Sequence, residues 1–160
     1  MKLSQAFSVV RGDVVAFTGA GGKTSTMIAL GHELAVQGWR VLATTTTRIG
    51  RDQLDLMPYH LPVATSPDDI SAALAQNSFV FLTREIGEQK VRGATPAQIG
   101  VLLDRVDSDV LLIEADGSRG LPLKAPYPHE PVVPPEATIV IPTVSLSVLG
   151  QPLDEQHVYN

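Results

Sequence analysis

Along the chain, short apolar runs alternate with stretches of helical spacing. Leu3, Phe7 and Val10 recur at i, i+4 and i+7, a short helix ahead of the first strand, which spans about Asp13 to Thr18. Met27, Leu30 and Leu34 then mark one face of a helix that starts at Lys23 and stops at Gly38. Trp39 to Thr45 reads as the second strand, with a tail of Thr44, Thr45, Thr46 and Thr47 before Arg48. Gly50 to His60, of mixed charge and interrupted by Pro58, reads as a loop, and Leu61 to Thr65 as a short strand.

Ser66 as N-cap, Pro67 in the first turn and Asp69 three residues past the cap open another helix, with Ile70, Ala73 and Leu74 on its apolar face. Phe79 to Thr83 is a buried strand, and polar Arg84 to Gly93 a hairpin or mobile loop. Thr95-Pro96-Ala97-Gln98 is a second capping box, followed by Ile99, Leu102, Leu103 and Val106 at helical spacing. Val110 to Ala115 is a continuous apolar run of the kind covered on both faces of a parallel sheet. Gly117 to Glu136 holds six prolines and is irregular, because proline removes ladder donors. Thr138 to Ile141 is a further strand, and Leu153 to Asn160 a helix start or a frayed tail. Strands alternating with helices predict an α/β fold, a mostly parallel sheet flanked by helices.

Composition adds bounds. At 160 residues the chain is expected to form one domain over 1–160. A net charge of −5, with basic residues scattered rather than striped among aromatics, argues against nucleic acid as a partner. The chain has no cysteine, which excludes disulfides and thiolate chemistry. Four scattered histidines do not make a zinc centre, and His129-Glu130 is half a metal site with no second histidine at ligand spacing. No apolar run approaches the roughly 18 residues needed to cross a bilayer. A leader beginning at Met1-Lys2-Leu3-Ser4 would be cleaved inside or beside the glycine loop described next, so a cytoplasmic protein with no membrane partner is expected.

The chemistry starts where the first strand meets the first helix. Thr18-Gly19-Ala20-Gly21-Gly22-Lys23-Thr24-Ser25 gives the strand, glycine loop, Lys-Thr and helix order of a phosphate-binding loop. Glycines let backbone N–H groups close on phosphate oxygens, and the helix N-terminus adds its positive end. Lys23 would reach the β- and γ-phosphates and Thr24 would ligate Mg²⁺. The full pattern places glycine five residues before Gly22, where this chain has Phe17. Loops of the form T-G-x-x-G-K-T in the Mur peptide ligases share that departure. The bland alternative is a glycine-rich turn. With the loop in hand, the predicted fold is of the P-loop nucleoside triphosphate hydrolase type.

In such sheets ligands bind at the carboxyl ends of the strands. Glu114 and Asp116, two apart at the end of an apolar strand, leave it on one face. The reading places Asp116 with Thr24 on the metal and Glu114 as the group that polarises the nucleophile, with the reverse allocation open. Thr46 and Arg48 end the second strand and can contact the γ-phosphate, although threonine is also simply a good strand residue. Arg119 and Lys124, in the proline-stiffened stretch after Asp116, suit an anionic substrate or the γ-phosphate. An ordinary acidic turn and a solvated connection are the alternatives.

Taken together, three blocks of sequence resemble the YqeC-type selenium-dependent hydroxylase accessory proteins. They are Thr18 to Ser25; Thr44 to Thr47; and Glu114-Ala115-Asp116-Gly117-Ser118-Arg119-Gly120 with Pro122-Leu123-Lys124-Ala125-Pro126 and His129-Glu130-Pro131-Val132-Val133-Pro134. The resemblance implies a P-loop nucleotide-binding fold and a role in maturing selenium-dependent molybdenum hydroxylases. Members of that family tend to run on beyond the point matching Asn160, so a C-terminal portion is expected to be lacking here.

The expected activity is Mg²⁺-dependent binding and hydrolysis of a nucleoside triphosphate, or phosphoryl transfer from it. ATP is favoured because no Asn-Lys-x-Asp guanine-reading motif occurs, and GTP is not excluded. A molybdenum hydroxylase or its cofactor is the expected client. Two other readings remain: a nucleotide-gated cofactor chaperone without intrinsic turnover, and a Mur-type ATP-dependent ligase. Base preference, acceptor and oligomeric state are not legible.

Overall fold

A computed structural model describes residues 2–160; Met1, part of the start weighed above as a leader, lies outside the described residues. In chain order the elements are α1 (Leu3–Ala6), β1 (Val14–Gly19), α2 (Lys23–Val36), β2 (Val41–Thr45), β3 (Arg48–Gly50), α3 (Arg51–Leu54), β4 (His60–Pro62) and α4 (Pro67–Asn77). There follow β5 (Phe79–Thr83), β6 (Glu85–Ile86), β7 (Lys90–Arg92), α5 (Pro96–Arg105), β8 (Val110–Glu114), β9 (Leu123–Lys124), β10 (Ile139–Thr143), a 3-10 turn (Leu146–Val148) and β11 (Val158–Tyr159).

Six strands form one sheet in the order β10-β1-β8-β2-β5-β4, and every pairing in it is parallel. Neighbouring residues along each central strand serve opposite faces. Val15, Phe17, Val41, Ala43, Phe79, Phe81 and Leu112 join Met27, Leu30 and Leu34 of α2 in one buried cluster. Val14, Leu42, Val80, Leu82, Leu111 and Ile113 join Ile70 and Leu74 of α4 and Ile99 and Leu102 of α5 in the other. Both faces of the sheet are thus covered by helices, as the unbroken apolar runs of β5 and β8 require.

Local signals explain the helix ends. Ser66 Oγ accepts from the Asp69 N–H at 3.2 Å, and Gln98 Oε1 accepts from the Thr95 N–H at 2.9 Å. At the amino end of the strands, Asp109 accepts from the Arg40 N–H (2.8 Å) and from Arg11 (2.6 Å), tying together the segments that enter β1, β2 and β8.

Three expectations need correction, and a fourth, the hairpin or mobile loop over Arg84 to Gly93, is decided in favour of the hairpin. The first helix is a single turn, capped by Glu33, whose carboxylate accepts from the N–H groups of Leu3 (2.7 Å) and Ser4 (2.9 Å). Val10 is outside it and 62% exposed. Gly50 to His60 is not a plain loop, since β3 and α3 occupy its start. The polar stretch after β5 is a hairpin, β6–β7, extended by β3 into a three-stranded antiparallel sheet. The tail is neither helical nor frayed: β11 pairs in parallel with β9. Pro142 lies inside β10, tolerated because this edge strand has a neighbour on one side alone. Among the described residues, no helix is long and apolar enough to cross a membrane.

Candidate functional site

The carboxyl ends of β1, β8 and β2 lie side by side, with Phe17 and Thr45 both in register with Glu114. The glycine loop follows β1 directly. Gly21 and Gly22 have φ of +73° and +120°, a region L side chains rarely adopt. A Cβ at Gly19 or Gly21 would also collide with the backbone of Thr143 and Ser145, so the segment after β10 backs the loop. The Ala20 N–H donates to Thr143 O at 2.9 Å. The first helical bond runs from the Thr26 N–H to Gly22 O at 2.8 Å, leaving the preceding amides of the first turn without an intrahelical acceptor.

Lys23 folds back over this loop. Its ammonium donates to Gly19 O at 2.6 Å and lies 3.3 Å from Asp116 Oδ1. The other Asp116 oxygen accepts from the Gly19 N–H at 2.9 Å and stands 3.6 Å from Lys124 Nζ. Asp116 is therefore a buried bridge between two lysines, 1% exposed. Lys124 also donates to Gly117 O (2.6 Å) and pairs with Glu130 (2.6 Å), beneath the Tyr159 ring. Its side chain is fully buried.

Glu114 has a different environment. Its Oε2 accepts from the Thr24 hydroxyl at 2.6 Å, and Thr24 in turn accepts from Gln53 Nε2 at 2.9 Å. Burial pushes the Glu114 carboxyl above its ordinary range, against the Thr24 hydrogen bond and the Lys23 charge that favour the carboxylate. Gln53 was not legible as a site residue, because it sits on a four-residue helix too short to leave a periodic signature.

The four threonines divide. Thr44 donates to Leu82 O (3.0 Å) and Thr45 to Glu114 O (2.9 Å), both inside the fold. Thr46 donates to Val132 O (2.6 Å), anchoring the proline-rich segment, and with Thr47 reaches the cleft.

That cleft, about 990 Å³, opens over the loop. Lys23, Arg48, Arg84, Lys90, Arg92 and Arg119 line it, six cationic groups against three acidic ones, Asp52, Glu114 and Glu130. The whole chain has 12 cationic and 17 acidic residues, so positive charge is concentrated here and an anionic ligand is favoured. Gly21, Gly22, Thr24 and Ser25 line it as well, whereas Gly19, Ala20, Asp116 and Lys124 lie behind its wall. Arg119, at φ +50°, stands over the Tyr159 ring at 5.3 Å. His129 stacks on Tyr127, with ring centroids 5.5 Å apart. Among the described residues, no group of three or more His, Cys, Asp or Glu forms a metal-holding cluster.

Fold and site define the class: an α/β protein with an all-parallel sheet of Rossmann-like or P-loop-like architecture, whose glycine loop links the first strand of the sheet to a helix. Within that class the chain belongs to the YqeC family, since the family described as YqeC protein matches residues 15–160. It is similar to the uncharacterized protein YqeC of Escherichia coli K12, 40% identical over 154 residues, which cover 93% of this chain and 58% of that protein. The chain thus spans a little over half the length of that relative. No solved structure matches.

Proposed function

We propose that the cleft binds a Mg²⁺–nucleoside triphosphate and hydrolyses it or transfers its γ-phosphoryl group, in the maturation of a selenium-dependent molybdenum hydroxylase. One observation carries this reading. The Thr24 hydroxyl, one residue after Lys23 at the start of α2, is 2.6 Å from a carboxylate on the adjacent strand end. A hydroxyl and a carboxylate at that spacing, beside free helix-terminal amides, suit a small cation that takes its remaining ligands from phosphates and water. The sparse acidic complement fits Mg²⁺, which rarely uses an all-protein cage.

The geometry favours allocating the two acids opposite to the order preferred from sequence. Glu114 with Thr24 would hold Mg²⁺, while Asp116 positions Lys23 and the loop amide of Gly19. Bound Mg²⁺ would offset charge developing on the β- and γ-phosphate oxygens. Lys23 would leave Gly19 O for the phosphates, and Arg119 and Thr46 line the cleft where the transferred group would lie. ATP is the favoured nucleotide.

A nucleotide-gated chaperone is the second reading, favoured by the bridge through Asp116. Withdrawing Lys23 from Asp116 would leave Lys124 as the one cation on that carboxylate and disturb the pairing of Lys124 with Glu130 in the proline-rich segment. A Mur-type ligase would need an acceptor amine, and phosphate release without one favours the hydrolase.

Phosphate release assayed over four nucleoside triphosphates, with and without a molybdenum hydroxylase, separates these readings. Mg²⁺-dependent release by the protein alone is expected. Release confined to samples with the hydroxylase supports the gated chaperone. No release under either condition contradicts the catalytic reading.

A further inference from the structure

The small sheet β3-β7-β6 carries an arrangement that the glycine loop leaves unused. Ile49 and Val91 are 1% and 0% exposed and belong to the core. Strand alternation therefore sends Arg48, Lys90 and Arg92 to the other face, where all three line the cleft with Arg84 from the turn after β5. The ladder register sets Arg48 directly opposite Arg92. Like charges facing across a strand pair destabilise a sheet.

Glu85 and Glu88 border Arg48, Lys90 and Arg92, and Glu88 pairs with none of them. Arg92 has Glu85 at 3.5 Å, a solvated pair. Among the described residues, Arg48, Arg84 and Lys90 form no ion pair. At the opposite pole of the sheet, by contrast, Arg11 and Arg40 are both matched to Asp109.

We propose that this cationic face is a second anion site, which holds a phosphate-bearing small molecule as the co-substrate beside the nucleotide. The inference rests on the glycine loop being the triphosphate site, because a triphosphate seated on the loop, Lys23 and Thr24 leaves these four cations for another ligand. Guanidinium forks suit the oxygens of a phosphate monoester, which they grip in pairs. A small molecule fits better than a polymer: the cations stand in a recess faced by Arg119 and Tyr159, not along an open stripe. The cleft is at the upper end of the volume range for a single drug-sized ligand. With Lys124 buried, Arg119 is the cation that the proline-rich stretch brings to the cleft, and the small sheet supplies the further positive charge.

The test uses inorganic phosphate as probe, followed by ³¹P line broadening, on the full chain saturated with the Mg²⁺ complex of a non-hydrolysable ATP analogue. Saturable phosphate binding is expected, weakened about tenfold by Arg48→Gln/Arg92→Gln, with analogue affinity unchanged. Arg84→Gln/Lys90→Gln, outside the Arg92–Glu85 pair and the Arg48–Arg92 register, is expected to weaken it similarly and guards against misfolding of the first variant. Relief of the like-charge opposition between Arg48 and Arg92 should also raise the melting temperature of Arg48→Gln in low salt without ligand. Absence of phosphate binding to the analogue-loaded protein, or binding that ignores both double variants, overturns the proposal. If the analogue itself does not bind, phosphate is titrated alone. Binding lost with the arginine variants but kept in Lys23→Ala then supports the sheet site while removing the nucleotide reading; binding lost in Lys23→Ala alone overturns the sheet site.

Discussion

Glu114 is the residue on which the proposed chemistry turns, and its protonation gives a signed prediction. An acid whose folded pKa is raised holds its proton more tightly in the native chain than in the unfolded one. The stability it contributes is present at low pH and lost as pH rises through the folded value. Glu114→Gln keeps an acceptor for the Thr24 hydroxyl but cannot ionise. Without nucleotide, this variant should melt a few degrees above wild type at neutral pH, with a gap of about 2–4 °C for each kcal/mol recovered, closing near pH 4. A calorimetric melt series over pH measures it, and a variant less stable than wild type at neutral pH would contradict the burial argument. The same substitution should weaken the Mg²⁺ dependence of nucleotide binding. Asp116, by contrast, is a strut: two lysines and an amide converge on it.

Among the elements, α2 joins the site to the core, since its first turn carries Lys23 and Thr24 while Met27, Leu30 and Leu34 lie beneath the sheet. Gly31 faces the Phe79 ring so closely that an added Cβ would displace it. Gly31→Ala should therefore cost about 1–3 kcal/mol through overpacking, outweighing the roughly 1 kcal/mol of helix propensity that alanine gains. A chemical denaturation midpoint reads this, and a stabilised variant would refute it. Elements of this length were legible: capping boxes at Ser66 and Thr95 and unbroken apolar runs at β5 and β8 are strong local signals. Short pieces were not. β3 and α3 cover three and four residues, and β11 two, below the span at which periodicity can be read. The alternation Arg48-Ile49-Gly50 against Lys90-Val91-Arg92 was the available sign of the cationic sheet, but the pairing partners are some forty residues apart and register is set by tertiary packing.

Over the whole molecule, charge is divided between two ends of the sheet. At the amino pole, the Arg40 hydrogen bonds hold Asp109 down to about 2, despite the opposing effect of burial. A depressed carboxyl contributes stability above its unfolded value, lost as pH falls from about 4 through the folded value. Asp109→Asn should lower stability at neutral pH by about 1–3 kcal/mol and flatten the acid limb of a melting profile. An unchanged acid limb would contradict this. At the carboxyl pole, the glycine loop, the Glu114–Asp116 pair and Arg119 were legible because they fall at strand ends in a chain whose strand–helix alternation was plain. The burial of Lys124, the contact from Gln53 and the cations of β7 were not, because each depends on a loop path fixed by non-local contacts.

The central claim, a triphosphate held by the glycine loop, meets its most direct test in isothermal titration of Mg²⁺–ATP into wild type and Lys23→Ala. On the proposed reading buried Lys23 is the cation that grips the phosphates, so removing its charge should weaken binding by about 100-fold or more while the fold, read by circular dichroism, is retained. Equal affinity in the two proteins, or no binding of Mg²⁺–ATP or Mg²⁺–GTP to the wild type, would contradict the account.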